Sequence, residues 1–371
     1  MVRSWKHCLK NVTTVLTLII FSVCIPSFVL ARSYSITRLC NVSEGGYTSL
    51  NDLGELSGYT RDSEGHHITA ALETTSLGTL GGAFSYAAKI NNLGQVVGSS
   101  YTDDNEMHAF LYENGNMQDL GTLGGSNSYA TSLNDLGQVV GSSYTADNKM
   151  HAFVYENGNM QDIGTLGGNY SYATGINDLG QVVGSSYTAD NEMHVFFYEN
   201  GNMQDMGTLE GSLYSYARDI NNNGQVIGSS LVQRDDRYYW ASFLWENGEL
   251  TELERDGYYS YATSINDNGL IVGMNYSENS ISSAVLWEDG LQTDLSSFLS
   301  EESRSQWQLT YAADINTYGQ ILGYGKYNGE YSAFLMTPDD PLTSTSVPEP
   351  LSIMLLGLGV ASIIGKKIKK Q

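Results

Sequence analysis

A chain that repeats one phrase at near-constant intervals folds into units that pack on copies of themselves, because no single copy can bury its apolar face alone. Here the phrase is Ile-Asn-Asp-Leu-Gly-Gln-Val-Val-Gly, and its asparagine stands at Asn51, Asn91, Asn134, Asn177, Asn221, Asn266 and Asn316. The intervals are 40, 43, 43, 44, 45 and 50 residues, and a glycine follows each anchor by three, from Gly54 to Gly319. A second phrase trails the anchor, centred on Phe110, Phe153, Phe196, Phe243 and Phe334. Length alone would admit two or three domains, but the seven copies fill residues 32–340 and leave room for one.

Each copy reads as four short strands. Tyr129–Leu133 leads into the polar turn Asn134-Asp-Leu-Gly137, whose glycine supplies a left-handed backbone. Gln138–Tyr144 is rich in β-branched residues, and Met150–Tyr155 follows. A Glu156-Asn-Gly158 hairpin signal then leads to Met160–Ile163. Ala152, Phe153, Val154 and Tyr155 are apolar on both faces of their strand, which predicts sheets covered on both sides. Signals for helices are absent before the C-terminal tail.

Four antiparallel strands per unit, sheet packed on sheet and a period near 43 predict an all-β fold: a seven-bladed β-propeller of four-stranded antiparallel blades. The last copy stops after its third strand, Tyr331–Met336, and an orphan strand at Tyr34–Arg38 stands before the first anchor. Joining the two would close the ring with the N-terminal strand and hide a sticky edge. A solenoid would need caps instead.

Both ends carry export signals. Arg3, Lys6 and Lys10 precede an apolar run from Val12 to Leu30, and small residues end it at Ala31, so residues 1–31 read as a cleavable signal peptide. Once that is removed only Cys40 remains of the three cysteines, which excludes an internal disulfide. At the other end a linker, residues 341–346, is followed by Val347-Pro348-Glu349-Pro350, an uncharged stretch over 351–365 and four lysines up to Lys370. As a helix those fifteen residues would span about 22 Å, short of a hydrocarbon core of about 30 Å. They can pause in a membrane but anchor weakly.

This tripartite tail, residues 347–371, resembles the PEP-CTERM sorting signal of Gram-negative bacteria. The resemblance implies recognition by an exosortase and the secretion machinery, transient membrane contact through the short hydrophobic helix, and removal of the tail followed by release or surface attachment. The His-Ala-Phe phrase with its Glu-Asn-Gly turn resembles the HAF repeat of predicted extracellular proteins. It matches at His108 and His151, while His194 precedes Val195. Ala241-Ser-Phe243, Ser283-Ala-Val285 and Ser332-Ala-Phe334 lack the histidine, and the copy near His67 lacks the phenylalanine.

Setting aside the basic residues of the two ends leaves eleven lysines and arginines against 41 acidic residues, a body charge near −30. Such a body repels nucleic acid and anionic lipid. No Gly-x-Ser-x-Gly, His-Glu-x-x-His, Cys-x-x-Cys or P-loop occurs, and the sequence suggests neither a cofactor nor an enzyme. His108, His151 and His194 recur in register; a zinc site is conceivable, but duplication alone explains the recurrence. The acidic loops at Asp103–Glu106, Asp147 and Asp190–Glu192 could bind Ca²⁺ weakly, although they lack EF-hand spacing and read more simply as solvated loops.

Six tyrosines, Tyr86, Tyr129, Tyr172, Tyr216, Tyr261 and Tyr311, sit five residues before their anchors. Placed at one mouth of a central channel they suit stacking on sugars; the competing reading is that they wedge neighbouring blades. Near-identical units meet a repetitive ligand well. The expectation is therefore an exported surface or matrix protein, a non-catalytic module for exopolysaccharide or another envelope component. The alternative is a secreted propeller lyase or hydrolase acting on glycans.

Replacing Pro348, Glu349 and Pro350 by alanine should leave the tail on the protein in the inner membrane. Mass spectrometry of the wild-type C-terminus checks the premise: a mature chain that still carries Lys366–Lys370 overturns the sorting assignment.

Overall fold

The computed structural model describes residues 32–41, 45–61, 68–73, 75–234, 236–277 and 281–340. The cleavage residue Ala31, His67 of the first copy, the linker, the sorting motif Val347–Pro350 and the hydrophobic segment 351–365 lie outside them. Among the described residues no helix is long and apolar enough to cross a membrane.

Antiparallel sheets make up nearly all of the described chain. Five have four strands, and an eight-stranded one consists of two four-stranded halves joined by a single parallel bridge, Met193 to Tyr214. The third repeat is representative: Gly124–Leu133, Val139–Thr145, Met150–Glu156 and Asn159–Asp162 pair in chain order. Its inner strand starts five residues earlier than the expected Tyr129, because the ladder runs on until Gly124 meets Thr145. In the last sheet Trp307–Ile315, Ile321–Tyr327 and Glu330–Pro338 are joined by Tyr34–Asn41 from the start of the chain. There Ile36 lies opposite Met336 and Arg38 opposite Phe334.

The 50-residue interval holds a local departure from the all-strand expectation: a 3₁₀ turn, Leu295–Phe298, and an α-helix, Glu301–Gln306. Ser300 caps the helix by accepting from the Ser303 N–H at 3.2 Å, and Glu301 and Glu302 face its positive end. The helix is short, and its signal is a capping serine rather than a periodic stripe.

Alternation within the third strand builds the core. Phe153 is fully buried against Val97, Ala109 and Leu111 of the preceding sheet. Its neighbour Ala152 points the other way, into a cluster with Ala173, Ile176, Val182 and Phe196 of the next. The strand is apolar on both faces because it separates two cores. A further cluster joins Leu322 and Leu335 of the last sheet to Leu50 and Leu56 of the first. Dense packing has a backbone requirement: a Cβ at Gly141 would stand 1.9 Å from the Tyr129 carbonyl oxygen.

The repeated asparagine explains the rest of its phrase. Asn134 is buried, and its Oδ1 accepts from the N–H groups of Leu136 and Gln138 at 3.2 and 2.9 Å. Gly137 closes the turn at φ 78° with a bond from its N–H to the Asn134 carbonyl. One Nδ2 proton goes to Gln138 Oε1 at 2.6 Å and the other to the Asn177 carbonyl, in the next repeat, at 3.0 Å. Asn51, Asn91, Asn177, Asn221 and Asn266 each donate likewise to the following anchor's carbonyl at 2.9–3.1 Å. Asn316 donates back to Asn51 at 3.1 Å.

Truncating a buried amide leaves several desolvated groups without partners, at about 1–3 kcal/mol each. Asn177→Ala should therefore lower the unfolding free energy by roughly 3 kcal/mol. Leu179→Ser, two residues on and 67% exposed, should change it by about 0.5 kcal/mol or less. Urea titrations of the two variants make the comparison; equal effects would mean that the amide relay does not hold the repeats together.

Candidate functional site

The inner strands of all seven repeats line two cavities that share Lys89, Ser132, Asp219 and Ser264. One opens among the Asn-Asp turns. There a second relay runs through the residue after each anchor: the N–H of Asn92 donates to Asp135, that of Asp135 to Asp178, and that of Asp178 to Asn222, at 2.8–2.9 Å. The amide of Asn92 bridges the carboxylates of Asp52 and Asp135, and that of Asn222 bridges Asp178 and Asp267. This opening is lined by carboxylates, spaced by two amides and by Thr317, whose N–H donates to Asp52 at 2.8 Å.

The floor between the cavities is a polar layer built by the residue two before the anchor, polar in every repeat but the fourth, where it is Gly175. Asp314, 3% exposed, takes Lys89 Nζ on both oxygens at 3.0 Å. It also accepts from Ser49 Oγ, Ser264 Oγ and the Leu50 N–H, at 2.8, 2.7 and 3.0 Å. Asp219 accepts from the Ile265 N–H at 3.1 Å and the Ile220 N–H at 2.9 Å, and the Ser264 hydroxyl, whose one proton is shared with the nearer Asp314, lies 3.1 Å away. Each carboxylate thus ties its own repeat to the next, Asp314 linking the last repeat to the first. Burial pushes the Asp219 carboxyl up despite the nearby Lys89. Burial alone would lower Lys89, but the attraction of Asp314 and Asp219 outweighs it and holds the ammonium above its ordinary value. That contribution is complete at neutral pH and is lost only as pH rises past the ordinary lysine value of about 10.4.

Above the floor lies a cavity of about 300 Å³, whose wall carries threonine hydroxyls, Arg218 and Tyr311. Thr131 and Thr263 donate across to the Ala173 and Ala312 carbonyls of the next repeats at 2.9 and 2.8 Å.

The six sequence-selected tyrosines occupy one register, opposite Ser99, Ser142, Ser185, Ser229, Met274 and Tyr324 of their second strands. Tyr86 and Tyr216 are 41% and 38% exposed; Tyr129, Tyr172, Tyr261 and Tyr311 are half-buried. Burial pushes Tyr129 up, helped by the phenols of Tyr144 and Tyr101; it does the same for Tyr172, beside Tyr187 and Tyr144, and for Tyr216, beside Tyr187. A second row of tyrosines, from the Ser-Ser-Tyr-Thr phrase, therefore interleaves with the first. In the fifth repeat Leu231 stands where that phrase has tyrosine, and its cross-strand partner Trp240 fills the place. Trp240 lies 5.7 Å from the Tyr216 ring and 6.3 Å from that of Tyr261. The sequence reading missed this second row, although the recurrence of Tyr101, Tyr144 and Tyr187 was there to find it.

The recurrent histidines have a local partner. Nδ1 of His108, His151 and His194 lies 2.8 Å from Asp119, Asp162 and Asp205, each eleven residues on, and each aspartate also accepts from the N–H two residues after it. Where Ala241 replaces the histidine, Glu252 takes the place of the aspartate and pairs with Arg234 and Arg255 instead. Among the described residues no three His, Cys, Asp or Glu side chains are grouped to hold a metal ion.

No family model and no curated protein sequence matches the chain. Its structural neighbours are β-propellers. A puromycin hydrolase mutant complexed with PGG is 13% identical at a TM-score of 0.54, over 82% of this chain and 55% of that one. TolB from Acinetobacter baumannii gives 10% and 0.40, over 84% and 80%. A mutant Aleuria aurantia lectin in complex with Fucalpha1-6GlcNAc gives 12% and 0.37, over 72% and 95%. At such identities the likeness concerns fold alone, and the chain spans about half the length of the hydrolase.

The polar floor makes a pH-dependent prediction. Lys89→Met leaves the buried Asp314 and the half-buried Asp219 carboxylates without their cation and should cost about 3 kcal/mol at pH 7. Without the lysine, which opposes the burial that raises it, the folded pKa of Asp219 rises further above its unfolded value. The deficit relative to wild type should therefore shrink as pH falls toward the ordinary carboxylate value of about 3.9. Paired denaturation curves at pH 7 and pH 4 test the sign; a deficit of equal size at both would mean that the loss is one of packing.

Proposed function

We propose that the protein is a closed seven-bladed β-propeller, exported and sorted to the cell surface, that binds polysaccharide without transforming it. The amide relay from Asn51 through Asn316 and back supports the ring, as does the pairing of Tyr34–Asn41 with Glu330–Pro338. Its two mouths then differ in kind: one is the carboxylate ring of the Asn-Asp turns, the other is lined by tyrosines.

The observation that carries the binding reading is the aromatic belt. Tyrosines buried only as wedges would be covered, but Tyr86 and Tyr216 keep about two-fifths of their surface in water, and Tyr170, Tyr214 and Tyr259 are similarly exposed close by. Ring faces with phenol hydroxyls at their edges stack on the apolar faces of sugars and hydrogen-bond to their hydroxyls. Repetition around the mouth lets a repetitive chain make several weak contacts at once. The carboxylates of the floor are engaged by backbone N–H groups, serine hydroxyls and Lys89, which suits holding blades together rather than acid–base chemistry. The leader and the exosortase-type tail supply the route outward.

A single ring stacked on a sugar contributes on the order of 1 kcal/mol. Changing Tyr129, Tyr172 and Tyr216 together to alanine should therefore weaken binding far more than any one change, as read by affinity electrophoresis through gels containing neutral and acidic polysaccharides. Large losses of stability from each single change, with unaltered retardation of the folded protein, would reduce the belt to packing.

A further inference from the structure

The residue three before each anchor faces the upper cavity and is threonine or alanine in six repeats, but in the fifth it is Arg218. Arg218 is exposed although it belongs to an inner strand, because its side chain faces the cavity. It also acts on the Tyr311 phenol across the cavity, pulling against the burial that raises it. The body has eleven basic residues in all, so a cation at this position is a departure both from the repeat and from the charge of the body.

The wall around it has a definite donor pattern. Thr131 and Thr263 have each committed their single hydroxyl proton to a neighbouring carbonyl, so toward the cavity they can only accept. A ligand that fits this wall offers hydroxyl donors to the threonine oxygens and an anion to the guanidinium. Below, Lys89 is taken up by Asp314, and beyond the floor stands the carboxylate ring of Asp52, Asp135, Asp178 and Asp267. An anion entering past the tyrosines would be attracted at Arg218 and repelled further down, which makes the cavity one-ended for negative ligands. Its volume of about 300 Å³ lies at the small end of ligand sites, roughly 300–1,000 Å³.

We infer that this cavity receives one hexuronate residue of an acidic polysaccharide, its carboxylate on Arg218 in a forked, charge-assisted contact and its hydroxyls on the threonine oxygens. The inference rests on the polysaccharide-binding reading and gives it a substrate class. It also assigns the fifth repeat a task that the near-identical third and fourth repeats do not share.

Arg218→Thr tests it, because it restores the residue that Thr48, Thr131, Thr174 and Thr263 already carry in this register and so leaves folding intact. Calorimetric titration of the full chain with tetragalacturonate and tetramannuronate, and with their methyl esters, gives the comparison. The wild type should bind the acids about tenfold or more tighter than the esters, and Arg218→Thr should erase that preference while leaving the esters unchanged. Arg218→Lys should retain part of it, as a point charge without the fork. Equal binding of acids and esters by the wild type, or an acid preference that survives Arg218→Thr, overturns the inference and leaves the glycan reading standing. Failure of all four probes, together with failure of neutral polysaccharides at the tyrosine mouth, overturns both.

Discussion

Everything else in this molecule hangs on one buried amide, repeated. The anchor asparagine spends its oxygen on two N–H groups of its own turn, one Nδ2 proton on a side chain within that turn, and the other on the carbonyl of the next anchor. Local turn and neighbour contact are thereby the same hydrogen-bond network, so a repeat cannot adopt its turn without addressing the adjacent repeat. A buried amide with all its capacity used is stable, and the same group with one partner missing is costly. That asymmetry explains why the asparagine, the glycine three on and, in most repeats, the glutamine four on recur while the intervals between anchors vary from 40 to 50 residues. The slack is taken up away from the anchor, as in the helix Glu301–Gln306.

The phrase around the histidine has a similar origin. His108 and Asp119 sit on adjacent strands, and the aspartate fixes the following turn through the Gly121 N–H. Histidine and aspartate therefore recur together, and where the histidine is lost the pairing is rebuilt, as with Glu252 and its two arginines. The histidine that marks the repeat is held within its architecture by the aspartate of the next strand.

Chemistry arises where the repeats cease to be equivalent. Two positions on the inner strand, two and three before the anchor, carry serine, threonine or other small residues in most repeats and charges in a few: Lys89, Arg218, Asp219 and Asp314. Each is unremarkable in the linear sequence. Brought together they form a polar floor with a cation above it, and the carboxylates of Asp52, Asp135, Asp178 and Asp267 lie beyond it, a polarity that identical units could not produce.

The sequence by itself determined the unit: four short strands, a turn with an obligatory glycine, a third strand apolar on both faces. These are local properties, set by periodicity and by backbone conformations that few residues adopt. It also placed six tyrosines in one register, because register is counted along the chain. Only the tertiary structure decided which distant residues meet. Lys89 lies 225 positions from Asp314, and nothing along the chain couples them; likewise Trp240 enters the aromatic belt only because Leu231 lies across from it. Strand period and turn chemistry act over a few residues, whereas a charge pair or a shared aromatic surface depends on distance in space, which exists only once the sheets have packed on one another.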